Sequence, residues 1–264
     1  MMARFRHPPA ARGLWGTALA GLLLMLAACG QPDESSIPVM PTPRFTSVPD
    51  VGYPLEAPDM ALGARVFADK CTPCHGERGL ADGPMVRAGA APTPPKLAAL
   101  ETSWDKTPQE RFAFIAAGKI ERLMPPWKDA LPEAERWAVT YFTYTLHYTP
   151  ERLAEGRAVW EAECADCHGQ GGRGDGPKAA DINRPVGDLT DPVEMMTLSD
   201  KALYTIITEG VGDSMPAFLD DLTDDQRLAV VAYTRALGLV HPDAIGRPLP
   251  LDPTPAPALT SPNG

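Results

Sequence analysis

The pentapeptide Cys71-Thr72-Pro73-Cys74-His75 returns 93 residues later as Cys164-Ala165-Asp166-Cys167-His168. Few sequence features restrict a fold so tightly. Two cysteines at this spacing lie on one side of a helical turn, so both sulfurs reach the two vinyl groups of one porphyrin. The histidine directly after them swings under the ring, and its imidazole ligates the iron. A zinc site or a redox disulfide also uses Cys-x-x-Cys. The adjacent histidine and the repetition argue against both. So does the glycine-rich continuation, Gly76-Glu77-Arg78-Gly79 in one copy and Gly169-Gln170-Gly171-Gly172 in the other. The expectation is two covalently bound haem c groups, one at Cys71, Cys74 and His75, the other at Cys164, Cys167 and His168.

The repetition extends well beyond the pentapeptide. Gly63-Ala64-Arg65-Val66-Phe67 answers Gly156-Arg157-Ala158-Val159-Trp160, and Asp82-Gly83-Pro84 answers Asp175-Gly176-Pro177. Ile115-Ala116-Ala117-Gly118 matches Ile207-Thr208-Glu209-Gly210, and Arg136-Trp137-Ala138-Val139 matches Arg227-Leu228-Ala229-Val230. Matches kept in order at nearly constant offset mean two copies of one fold. The copies are placed at 58–148 and 149–240.

The elements read as helices joined by long loops, with no run of alternating strand residues. Thr107-Pro108-Gln109-Glu110 and Thr223-Asp224-Asp225-Gln226 are capping boxes, and Ser199 caps a third helix. A further helix runs from Glu133 to about Leu146. Thr149-Pro150 opens the second copy only two or three residues later, which predicts a short, stiff junction and a fixed separation of the two haems.

The ends differ from the middle. Arg4, Arg6 and Arg12 precede an apolar run of 16 residues, Gly13 to Ala28, that closes on Leu26-Ala27-Ala28-Cys29. That pattern is similar to a bacterial lipobox, so residues 1–28 read as a signal peptide and Cys29 as the lipidated residue. The run is shorter than the ~20 residues of a spanning helix. An ordinary cleaved signal and an uncleaved anchor are the alternatives, and all three put the folded part outside the cytoplasm. Two acyl chains at Cys29 would hold it to a membrane. Residues 29–57 read as a Pro-rich tether and 241–264 as a Pro-rich disordered tail. The other four of the chain's five cysteines belong to the haem motifs. The net charge is −10, or −13 without the three leader arginines. Such a surface repels nucleic acid and suits a basic docking partner, or serves solubility alone.

The sixth iron ligand separates a carrier from a catalyst, because an open position binds peroxide or oxygen. Met124 in Leu123-Met124-Pro125 and Met215 in Ser214-Met215-Pro216 are candidates, 49 and 47 residues after His75 and His168. Their equivalence in both copies favours ligation over core filling, the usual role of a single methionine. Met60, Met85, Met195 and Met196 have no counterpart and read as packing residues. His147, also unrepeated, is a weaker alternative ligand.

Each copy resembles a class I cytochrome c domain, with Cys-x-x-Cys-His early and a Met-Pro loop late, over roughly 58–240. The resemblance implies an all-α fold of two tandem cytochrome c-like domains. It implies His75 and Met124 on one iron and His168 and Met215 on the other. It also implies a proline carbonyl orienting each histidine, from Pro94 or Pro95 in the first copy and Pro185 in the second. An electron carrier follows, not itself an enzyme, exchanging electrons with redox protein partners as a free carrier or as a subunit of a respiratory or dehydrogenase complex. A di-haem peroxidase-like enzyme is the rival reading, and the two Met-Pro loops argue against it. A thiosulfate-oxidising enzyme would need an axial cysteine, and only Cys29 is spare.

Overall fold

The structure is a computed structural model that describes residues 52–245. The signal segment, Cys29, most of the tether and everything beyond residue 245 lie outside the described residues.

The first copy begins where the Asp59 carboxylate accepts from the Ala61 and Leu62 amides, at 2.8 and 3.1 Å. This caps α1 (Met60–Val66) and satisfies donors that have no partner inside the helix. The chain then passes through one π-helical turn, Phe67–Cys71, into α2 (Thr72–His75). The short helices α3 (Pro84–Arg87) and α4 (Leu100–Ser103) follow. Next come α5 (Pro108–Ala117) and α6 (Glu133–Tyr144). The second copy repeats the plan. Helix α7 (Pro150–Val159) leads through a π-helical turn, Trp160–Cys164, into α8 (Ala165–His168). Then come α9 (Pro192–Met195), α10 (Asp200–Glu209) and α11 (Asp224–Leu237). Among the described residues there are only isolated bridges and no strands.

In each copy the first and last long helices pack together, α1 on α6 and α7 on α11. The same pair of residues permits it. A Cβ at Gly63 would run into the Ala138 carbonyl, and one at Gly156 into the Ala229 carbonyl. Backbones this close tolerate only glycine at the crossing. Aromatic pairs flank both crossings, Phe67 with Phe142 at 5.3 Å and Trp160 with Tyr233 at 5.9 Å.

The two copies do not fold as separate beads. One core contains Met60, Phe67, Trp137 and Tyr141 of the first copy together with Met196, Ala232, Ala236 and Leu239 of the second. A second core, around Trp160, Leu203, Ile207 and Val230, belongs to the second copy alone. Backbone bonds also cross the boundary. The Gln109 amide donates to the Met196 carbonyl at 3.1 Å, and the Lys201 amide to the Trp104 carbonyl at 2.9 Å. The Met60 amide donates to the Val240 carbonyl and the Val240 amide to the Pro58 carbonyl, at 3.0 and 3.1 Å, tying the start of the first copy to the end of the second.

At the junction, the Asp200 carboxylate is 1% exposed and receives four donors. They are Tyr148 Oη at 2.6 Å, Arg235 at 3.0 Å, Tyr144 Oη at 3.2 Å and His147 Nε2 at 3.2 Å. Burial acts to raise its pKa, but the His147 bond, the Arg235 charge and the Tyr148 bond outweigh it and hold the carboxyl below its ordinary value. Two boundaries differ from the sequence reading. Helix α6 ends at Tyr144 rather than near Leu146, with Thr145 as its C-cap, the Thr145 amide and hydroxyl both donating to the Tyr141 carbonyl at 2.9 Å. The reading of everything from 241 as a disordered tail is corrected for its first residues. Pro242–Ala244 form a 3-10 turn, and Ala244 and Ile245 enter the first core at 6% and 1% exposure. Two apolar side chains at the start of a proline-rich stretch carry this anchoring.

Candidate haem sites

The π-helical turn before each motif is the local device that aims it. The Thr72 amide reaches back five residues to the Phe67 carbonyl, as the Ala165 amide does to Trp160. One extra residue per turn rotates the following cysteines relative to the helix behind them. The sequence offers no signal for this beyond the aromatic residue four positions before each first cysteine. After the motif the His75 carbonyl accepts from the Ala81 amide, and the His168 carbonyl from the Gly174 amide, both at 2.9 Å.

In the first copy, Cys71, Cys74, His75 and Met124 all border one cavity of about 560 Å³, with Ile115, Trp127 and Val139 among its apolar walls. In the second, Cys164 and Met215 pack against the same core as Leu203 and Phe218. The methionine loops are closed alike. Lys119 and Met124 exchange two backbone bonds, at 2.7 and 3.1 Å, and Val211 and Met215 do so at 2.9 and 3.3 Å. Each loop begins at a glycine with positive φ, Gly118 at 65° and Gly210 at 73°. A Cβ there would strike the returning Met-Pro backbone. Each loop ends by docking on the helix it left, Trp127 on the Ile115 carbonyl and Phe218 on the Ile207 carbonyl. The one-residue difference in length is absorbed by a 3-10 turn at Ile120–Arg122 and a left-handed Leu123.

The chemistry of the two histidines suits haem iron. Burial, with a smaller push from the Arg111 charge, lowers the His75 pKa to about 4, and burial also lowers that of His168. Both are therefore neutral imidazoles at neutral pH, the form that ligates. Burial raises the Cys71 and Cys164 thiols to about 12, so neither ionises readily. The Nδ1 atoms of His75 and His168 are buried without a hydrogen-bond partner. Pro94 and Pro95 do border the first cavity, but the histidine-to-proline bond implied by the cytochrome resemblance is made in neither copy. Among the described residues no cluster of His, Cys, Asp and Glu converges to hold a metal ion directly, so neither motif has the closed ligand shell of a structural zinc site.

The remaining candidates separate cleanly. Met60, Met195 and Met196 are core residues at 0%, 5% and 1% exposure. Met85 is not, for it is 41% exposed with its sulfur 4.0 Å from Cys74 Sγ. His147 is engaged by Asp200 at the junction. Two arginines that carry no motif also bear on the sites, Arg111, half-buried beside the first cavity, and Arg235, buried at the junction.

Duplicated helical domains, each presenting a Cys-x-x-Cys-His turn to a Met-Pro loop, define a tandem di-haem c-type cytochrome. The family model for cytochrome c oxidase, cbb3-type, subunit III matches at residues 58–142 and 151–233. This chain belongs to that family and carries two haem c groups. It is 27% identical over 193 residues to the cbb3-type cytochrome c oxidase subunit FixP of Rhizobium meliloti (strain 1021), covering 68% of this chain and 61% of that protein. It is 28% identical over 200 residues to subunit CcoP of Rubrivivax gelatinosus, covering 74% and 60%. The aligned region thus spans about three fifths of these relatives.

Proposed function

We propose that this chain passes electrons as a di-haem subunit of an oxidase-type complex, with His75 and Met124 ligating one iron and His168 and Met215 the other. The observation that carries the ligand assignment is the matched closure of both methionine loops, each by two backbone bonds. Two loops of different length would not converge on one closure if their methionines were only filler.

Bound haem supplies one-electron iron chemistry at each site. The protein's share is attachment, ligation and exclusion of water. The cysteine thiols would form the thioether links, and the neutral imidazoles and the methionine sulfurs, the latter held by loops that proline stiffens, would ligate the irons. Irons ligated in this way would not readily bind peroxide or oxygen, which supports a carrier over a catalyst. Among the described residues no helix is long and apolar enough to cross a membrane. Lipidation of Cys29 supplies the anchor in this proposal and holds both domains on the extracytoplasmic face.

The far-red sulfur-to-iron charge-transfer band of the oxidised protein tests the ligands. Met124→Ala and Met215→Ala should each remove about half of it, and the double variant all of it. A band surviving in the double variant would sink the assignment. Cys29→Ser should release the protein from membranes; retention would sink the lipid anchor.

A further inference from the structure

The two sites share a backbone plan but not a charge. Five Lys and Arg side chains border the first cavity, against a single lining carboxylate, Glu110. Their matched positions in the second copy hold none. Lys70, Lys106 and Lys119 are each paired with a neighbouring carboxylate, Asp69, Asp105 and Glu121, which leaves Arg111 and Arg122 as the uncompensated charges among the described residues. Lys70 directly precedes Cys71, and Glu163 directly precedes Cys164. Lys106 precedes the capping Thr107, and Leu198 precedes the capping Ser199. Lys119 closes the Met124 loop, and Val211 the Met215 loop. Over the whole copies, residues 58–148 carry eleven basic and eleven acidic side chains, while 149–240 carry eight and seventeen.

Arg111 is the sharpest of these differences. Its matched residue, four positions after the helix cap, is the buried Leu203. The guanidinium donates to Ser103 Oγ at 2.8 Å and to the Thr102 carbonyl at 3.2 Å, and lies 5.5 Å from the Tyr144 ring centre. Among the described residues it forms no ion pair with a carboxylate. The other inward-facing arginines do not offset it. Arg136 and Arg227 occupy matched positions over matched rings, at 5.0 and 5.4 Å, and Arg227 is further paired with Asp224. Arg235 is neutralised by Asp200. A positive charge in a poorly solvated wall disfavours ferric iron, which carries one more positive charge than ferrous. A surplus of carboxylates has the opposite effect.

We infer that the His75 site is the higher-potential centre of the pair, so that electrons run from the second copy to the first. This rests on the di-haem reading above. One electron leaves ferrous iron at the His168 site, which becomes ferric, and enters ferric iron at the His75 site, which becomes ferrous. No proton and no bond is transferred. The acidic second copy is then the entry side, suited to a basic reduced donor protein, and the first copy faces the acceptor.

An optical redox titration of the full-length holoprotein tests this. It should resolve two steps, and replacing a methionine ligand by histidine lowers the potential of its own haem. Met124→His should therefore lower the upper step and Met215→His the lower one. Arg111→Leu and Arg111→Gln should each shift the internal electron equilibrium toward the second site by about tenfold, which is about 59 mV for one electron. Arg111→Lys should keep most of the wild-type separation. Glutamine can still bond Ser103 and Thr102, so it reports even if the leucine variant fails to fold. The inference is overturned if Met124→His moves the lower step, if the wild type shows one undivided step, or if both neutral variants leave the separation unchanged. A chain that takes up no haem would instead overturn the di-haem reading itself.

Discussion

The two copies agree where backbone meets backbone and part where side chains carry charge or join cores. Gly63 and Gly156 permit the same helix crossing, and the same pair of bonds closes both methionine loops. Yet the first copy shares its core with its neighbour, while the second also keeps a core of its own. Duplication thus preserved what a haem fold needs from its backbone and left the surroundings free to diverge. Two equal sites would make a store for two electrons. Two unequal ones, fused through a common core, make a path.

The fusion is the part of this comparison most open to attack. Asp200→Asn would leave Arg235 charged, buried and without its counter-ion. Breaking a buried pair from one side costs about 3–5 kcal/mol, and the loss should appear as a lowered Tm. The pair also predicts a pH dependence. Because the folded Asp200 pKa is below the unfolded one, its contribution is complete above the ordinary aspartate value and is lost as the pH falls through the folded value. Wild type should therefore lose this increment in acid, and Asp200→Asn should already lack it at neutral pH. A variant as stable as wild type, with the same acid profile, would show that the junction is held by apolar packing alone.

The helix crossings test whether the copies are still interchangeable inside. Gly63→Ala and Gly156→Ala each drive a methyl into a backbone carbonyl. Overpacking of this kind costs typically about 1–3 kcal/mol, read by chemical denaturation. Equal losses would mean that the crossing behaves alike in both settings. A larger loss at Gly63 would show that strain in the shared core spreads further than strain in the separate one. No loss at either would contradict the close approach itself.

Much of this was legible in the sequence for a physical reason. Haem attachment, helix caps and the paired loops depend on residue type at fixed short spacing, which a chain displays openly. The boxes at Thr107 and Thr223 form as read, with bonds of 2.7–3.1 Å and 2.9–3.2 Å. The shared core was not legible, since nothing in the spacing says that Met196 and Ala232 will face Met60 and Trp137. His147 looked like a spare ligand because its partner, Asp200, lies 53 positions away. The charge imbalance was present in the sequence throughout, but a single net charge for the whole chain concealed it. Only the matched helices show which residue of one copy to set against which of the other.

The mildest test uses the caps. Thr107→Ala loosens α5, which carries Arg111, and Thr223→Ala loosens α11, which packs on α7 and carries Arg235. Each removes a side-chain acceptor at a helix start and should cost about 1 kcal/mol. The informative result is how far the effect travels. If the copies unfold as one body, either variant lowers a single calorimetric transition, and the two haems lose their methionine ligands together. If the copies can open separately, Thr107→Ala should release Met124 before Met215 on warming, and Thr223→Ala the reverse. The shared core, the Asp200 network and the clasp between Met60 and Val240 all favour the single transition. Two separated transitions would mean that these contacts align the haem sites without making the copies depend on each other to fold.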